Sequence, residues 1–183
     1  IKLLGRPLTA YARGERARTV GYLPQHPEVA WPLSLRELVA LGRLPHGDSK
    51  AEPVAAAIDA LGLQTLATRQ VQTLSGGERM RAHLARLAAG EHRVLLIDEP
   101  TASLDPGYQL EVLDYLQRLT RAGAAALIVL HDLPLAARYC DALIVLAQGR
   151  VVAHGAASDL LDDALLARVF AVHGIRARLD GEE

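Results

Sequence analysis

The segment Val94-Leu95-Leu96-Ile97-Asp98-Glu99-Pro100 constrains this chain more than any other. Four consecutive apolar residues without alternation predict a strand buried on both faces, as in the middle of a parallel sheet. The run ends in two adjacent carboxylates, at the carboxyl edge where open parallel sheets place their ligands. Successive strand residues point to opposite sides, so Asp98 and Glu99 can serve different tasks. One carboxylate can hold Mg²⁺ while the other orients an attacking water. An acidic turn that caps the next helix is the plain structural alternative.

The rest of the chain repeats the strand-then-helix alternation. Short apolar runs at 1–4, closed by Gly5, and at 19–24 predict strands joined by an arginine-rich, partly helical connection. Residues 125–130 predict a second buried strand and residues 142–146 a third, which Gln148-Gly149 turns into a hairpin with 150–153. Helices are expected at 35–41, with Ser34 as N-cap and Gly42 as stop, and at 52–61, with Pro53 in the first turn and Gly62 beyond the end. Others are expected at 76–89, breaking at Gly90, at 106–121, and after Asp132. Strands alternating with helices imply an α/β fold with a parallel sheet covered on both faces. The helix-only stretch at 28–90 reads as an inserted helical subdomain, and 158–183 as a tail of two short helices with an exposed end.

Composition removes several function classes. With 183 residues, half of them hydrophobic and 22% charged, the chain is long and apolar enough for a full core. Twenty basic and 21 acidic residues leave a net charge of −1, which argues against a broad DNA-binding face. Aromatics make up 4%, too few for a platform that stacks single-stranded bases. The single cysteine, Cys140, excludes an intrachain disulfide and favours the interior of a cell. The longest apolar stretch, 124–130, falls far short of the ~20 residues of a membrane helix.

Two further features carry chemistry. Leu74-Ser75-Gly76-Gly77-Glu78 stands directly before the helix at 76–89, so a hydroxyl, unpaired N–H groups and the positive helix end all face outward, as a phosphate site requires. The alternative is a turn with Ser75 as its N-cap. His131 follows the strand at 125–130 and so shares a sheet edge with Asp98 and Glu99, although a lone histidine there is more often structural. Gln25 stands at the end of the strand at 19–24.

In chain order, Gln25, Leu74-Ser75-Gly76-Gly77-Glu78, Leu96-Ile97-Asp98-Glu99-Pro100, Ser103-Leu104-Asp105 and His131 resemble the Q-loop, signature, Walker B, D-loop and H-loop of ABC transporter nucleotide-binding subunits. The resemblance runs from Ile1 to about Ala153. It implies a P-loop NTPase-type parallel sheet with an inserted helical subdomain. Core segments would lie at 1–27 and 91–157, the helical subdomain at 28–90 and the tail at 158–183. It implies ATP and Mg²⁺ as ligands, with Asp98 positioning the metal and Gln25 touching the metal or water. Glu99 would be the general base and His131 the γ-phosphate contact. Ser75, Gly76, Gly77 and Glu78 would close over nucleotide held by an opposite subunit, and Asp105 would reach across that interface. Glu78 stands where the family most often has glutamine.

The family also requires a G-x-x-x-x-G-K-[ST] turn around the phosphates. These 183 residues contain none, and Lys50 in Gly47-Asp48-Ser49-Lys50 has the wrong spacing. In the family that turn precedes the strand which 1–4 resembles, so the chain is expected to be N-terminally incomplete. As written it is expected neither to bind ATP tightly nor to hydrolyse it alone, since the main contacts to the β- and γ-phosphates are missing.

Gly42-Arg43-Leu44-Pro45-His46 resembles a segment frequent in ATPases that drive import of iron chelates, haem and vitamin B12. Metal-chelate import is therefore the expected function, with His46 in a loop facing the membrane subunits rather than on a metal. Expected partners are a second ATP-binding subunit (a homodimer), transmembrane permease subunits and, indirectly, a solute-binding protein, at the cytoplasmic face of the membrane. No nucleic acid is expected. Two alternatives stay open. One is a soluble ABC-type ATPase of DNA repair, disfavoured by the mere 49 residues from Gln25 to Leu74 and the lack of heptads or Cys pairs. The other is a scaffold or dimer partner without ATPase activity, supported only by the missing P-loop. A serine hydrolase built on Ser75 fails because no G-x-S-x-G elbow is present.

Overall fold

The computed structural model describes residues 1–102, 104–160 and 165–171. Leu4 and Gly5 take left-handed backbone angles, φ +47° and +79°, and fold the first apolar run into a hairpin of β1 (Lys2–Leu3) with β2 (Arg6–Pro7). This hairpin is separate from the parallel sheet. Helix α1 (Arg13–Thr19) then leads into β3 (Val20–Leu23).

The parallel sheet has the order β3, β4 (Val94–Asp98), β5 (Ala125–Val129), with Val20 opposite Val94 and Val94 opposite Ala125. Its strands run into Gln25, Glu99 and Leu130, so the three carboxyl ends form one edge. On one face Leu23, Leu95 and Ile97 are buried, each burial being worth about 1.5–3 kcal/mol. Helix α4 (Gly76–Ala89) packs on this face. Any side chain at Gly21 of β3 would overlap Leu87 of α4 and the ring of His92, so the close approach requires glycine there. The other face departs from the sequence expectation of two covered faces. Tyr22 is 57% exposed, Leu127 58% and Val129 48%, so β5 is an alternating strand and not a doubly buried one.

Helices α2 (Leu35–Ala40), α3 (Ala51–Ala60) and α4 pack together between β3 and β4, around Leu35, Leu38, Val54, Ile58 and Leu84. Ser34 starts α2 with a reciprocal capping box, its hydroxyl accepting from Glu37 N–H while the Glu37 carboxylate accepts from Ser34 N–H. Gly42 does not stop this helix. The chain tightens into a 3-10 helix, Leu41–His46, and only Gly47 turns left-handed at φ +67°. Helix α5 (Pro106–Arg121) connects β4 to β5 and buries Val112, Leu113, Tyr115 and Leu116.

Residues 1–130 form one compact unit, and a second begins at His131. The second contains α6 (Leu133–Tyr139) and the antiparallel pair β6 (Ala142–Ala147) and β7 (Arg150–Ala156). The turn between these strands uses Gln148 and Gly149, both at positive φ, as expected. Strand β6 pairs with β7 in a two-stranded sheet of this unit. Helix α7 (Ala157–Leu160) and a π-helical turn at Leu166–Phe170 follow. The rest of the expected tail, and Ser103, lie outside the described residues. Among the described residues no helix is long and apolar enough to cross a membrane.

Candidate functional site at the carboxyl edge

Two residues past β3, the Gln25 amide Nε2 donates a 2.7 Å hydrogen bond to Glu99 Oε2, joining positions 74 residues apart. Glu99 follows β4 directly and has φ +47°, a left-handed conformation uncommon for a residue with a side chain. Its N–H still donates to Val129 O, and its carbonyl accepts from Ala102 N–H. The parallel ladder thus holds the backbone while the turn swings the carboxylate toward Gln25. Such conformations persist where the surroundings over-determine them and cluster at working sites. Asp98, the last residue of β4, is half-buried opposite Val129.

Beyond Glu99 the chain turns through buried Thr101 and Leu104 into α5, with Asp105 as its N-cap residue. The Gln109 amide donates to the carbonyls of Thr101 and Leu104, at 3.4 and 3.0 Å, and so latches this turn from the first helical turns of α5. Gln109 belongs to no motif, and nothing in the sequence singles it out.

The signature turn faces a cleft of about 540 Å³ lined by Gln25, His26, Gly76, Arg79, Met80 and Ala102 among others. Gln25 and Gly76 therefore meet on one surface. Ser75 is the N-cap of α4 and Glu78 completes its capping box: Ser75 Oγ accepts from Glu78 N–H, and the Glu78 carboxylate accepts from Ser75 N–H at 2.8 Å. That bond holds the Glu78 carboxyl below its usual range. The N-cap and phosphate-site readings are compatible, because Ser75 and Gly76 remain exposed at the helix end. His131 is the first residue of the second unit and is exposed. Asp132 after it caps α6 by accepting from Leu135 N–H at 2.8 Å.

Among the described residues no group of three or more His, Cys, Asp or Glu is placed to hold a metal ion. Mg²⁺ needs no such cage, since one or two carboxylates plus phosphate oxygens satisfy it. The side-chain oxygens of Asp98 and Gln25 at one sheet edge fit that requirement. His46 is engaged at the end of the signature helix. Its Nε2 lies 2.9 Å from Gly90 O, and Arg43 beside it is buried in ion pairs with Asp48 and Glu91.

The ABC transporter family pattern matches residues 1–102. A hemin import ATP-binding protein, HmuV, from Myxococcus xanthus is 45% identical over 98% of this chain and 70% of its own length. The protein of the same name from Pseudomonas putida is 43% identical over 94% and 71%. Among solved structures, one described as a metal-chelate type ABC transporter in an inward-facing conformation superposes with a TM-score of 0.77. It is 26% identical and covers 85% of this chain and 64% of that one. An ATP-binding subunit of an ABC transporter superposes at 0.74, with 27% identity over 93% and 70%.

Proposed function

The chain belongs to the ABC transporter family, and from that premise we propose that it is the ATP-hydrolysing subunit of an importer for a metal chelate of the haem class. The observation that carries the catalytic part is the Gln25–Glu99 hydrogen bond at the carboxyl edge. An amide fixed on the carboxylate orients it, and Glu99 then serves as general base toward a water in line with the γ-phosphate. Asp98 and Gln25 would hold Mg²⁺, which would supply charge neutralisation at the phosphates. His131 contacts the γ-phosphate. Ser75, Gly76 and Gly77 close over nucleotide bound to a second copy, with the Glu78 capping box keeping their backbone in place, and Asp105 reaches across that interface. Core segments at 1–27 and 91–157 would move against the helical segment at 28–90, and permease subunits at the cytoplasmic face of the membrane would convert that motion into transport.

The haem assignment is supported by the similarity to hemin import ATP-binding proteins and by the Gly42–His46 segment. Reconstituted with its permeases, the intact protein is expected to drive ATP-dependent haem uptake into vesicles. Uptake of another iron chelate with haem ignored would move the solute and leave the ATPase reading intact. The 183 residues as written lack the P-loop cradle and are expected to show no nucleotide affinity in the micromolar range. Calorimetric titration of these 183 residues checks it, and micromolar binding with Glu99-dependent turnover would overturn that expectation while supporting the ATPase reading.

A further inference from the structure

The segment Gly42–His46 is a clasp on the far end of the signature helix. Helix α4 ends at Ala89, and a helix end leaves its last carbonyls without intrahelical donors. Here the four carbonyls of residues 87–90 find partners. Leu87 O and Ala88 O accept from the N–H groups of Gly90 and Glu91. Ala89 O accepts from Arg43 Nη1 at 3.0 Å, and Gly90 O from His46 Nε2 at 2.9 Å. A carbonyl can only accept, so the proton of the His46 ring sits on Nε2. Any side chain at Gly42 would overlap Arg86 O, so the 3-10 segment crosses directly against the backbone of the last turn.

The Arg43 guanidinium is buried and used on every side. Its Nε and Nη2 donate to the two Asp48 oxygens at 3.0 and 2.7 Å, and Nη1 also pairs with Glu91 at 2.5 Å. Asp48, paired chiefly with Arg43, has its carboxyl lowered to about 2. The clasp is also tied to the base of the sheet. Arg18, from the last turn of α1, donates to Pro45 O at 3.1 Å, and Arg93 N–H donates to Thr19 O. The C-terminal end of α4 is thus anchored where β3 and β4 begin, while its N-terminal end carries Ser75, Gly76 and Gly77 at the opposite, carboxyl edge.

We infer that Arg43 and His46 are positioning residues: by fixing the C-terminal end of α4 they aim the Ser75-Gly76-Gly77 turn at its phosphate. This rests on the reading of that turn given above. Fourteen helical residues span about 21 Å, so a swing of about 5° at the clasp displaces the far turn by about 2 Å. A misplacement of about 1 Å at a reacting group can cost about 10²-fold in rate. The clasp therefore acts on turnover at a distance and touches neither nucleotide nor metal.

The test uses the intact protein assembled with its permeases and compares Arg43→Leu, His46→Leu and His46→Gln. The glutamine amide can still donate to Gly90 O. Arg43→Leu is expected to lower kcat by about tenfold or more with KM for ATP within about twofold, since the subunit that holds the nucleotide keeps its own contacts and only the closing turn of the other is displaced. His46→Leu is expected to move kcat the same way and His46→Gln to restore it. Hydrogen exchange gives a readout independent of turnover: the amides of Gly77–Arg79 exchange faster in both leucine variants and recover in His46→Gln. Faster exchange confined to residues 88–91, with kcat as in the wild type, overturns the inference. Loosening at Gly77–Arg79 in a protein that hydrolyses no ATP at all keeps the clasp and removes the ATPase reading. If Arg43→Leu does not fold, the two His46 variants decide.

Discussion

Replacing Glu99 by glutamine in the intact, permease-coupled protein is expected to leave ATP binding in place and to cut hydrolysis by at least about a hundredfold, the lower end of what a positioned general base contributes. That loss corresponds to about 2.7 kcal/mol of barrier. The substitution preserves shape and can keep the bond to Gln25, because the amide oxygen of residue 99 accepts as a carboxylate oxygen does. The left-handed backbone at 99 is equally open to glutamine, so folding is not the variable being tested. Removing a negative charge beside a triphosphate does not weaken affinity, so nucleotide binding should hold or tighten. Steady-state hydrolysis together with equilibrium binding of labelled ATP separates the two effects. Hydrolysis at the wild-type rate in Glu99→Gln would take the base role away from Glu99.

The elements legible in the sequence are those that local chemistry decides. Helix α4 begins at Ser75 and ends before Gly90 because a capping residue and a breaker stand in the chain itself. Strand β4 is where the unbroken apolar run predicts it. The face of β5 was not legible, since a run such as Ala125-Ala126-Leu127-Ile128-Val129 is compatible with either one or two buried faces. Gly42 misled for a related reason. Its glycine is demanded by the carbonyl of Arg86, 44 residues away, and not by a left-handed turn, so the helix continues as 3-10 to Gly47.

The same division runs through the site. Asp98, Glu99 and the Ser75–Glu78 turn announce themselves by adjacency. The bond from Gln25 to Glu99 depends on β3 and β4 being parallel neighbours with Val20 opposite Val94, which no window of sequence contains. Nothing in the sequence marks Arg43 as buried, since arginines usually are exposed. It is buried because Asp48, Glu91 and the carbonyl of Ala89 satisfy its donors, and Glu91 and Ala89 reach it only through tertiary packing.

One buried group on α4 takes no part in the proposed chemistry and sets an acid limit on the fold. His83 is 1% exposed, and neither ring nitrogen has a hydrogen-bond partner among the described residues. Burial, with the charges of Arg86 and Arg79 adding to it, lowers its pKa from 6.5 to about 4. The folded protein therefore refuses a proton that the unfolded chain accepts. Between pH 6.5 and 4 the unfolded state binds more protons, so stability falls as pH falls through this window, by about 3 kcal/mol in all. His83→Leu removes both the titration and two unpaired polar atoms from the core. It is expected to raise stability by about 1–3 kcal/mol at pH 7, and its advantage should widen steadily toward pH 4. Urea denaturation of wild type and variant at pH 7, 6, 5 and 4.5 measures this, and stability curves that stay parallel across the series would mean that the His83 ring is paired or hydrated in solution.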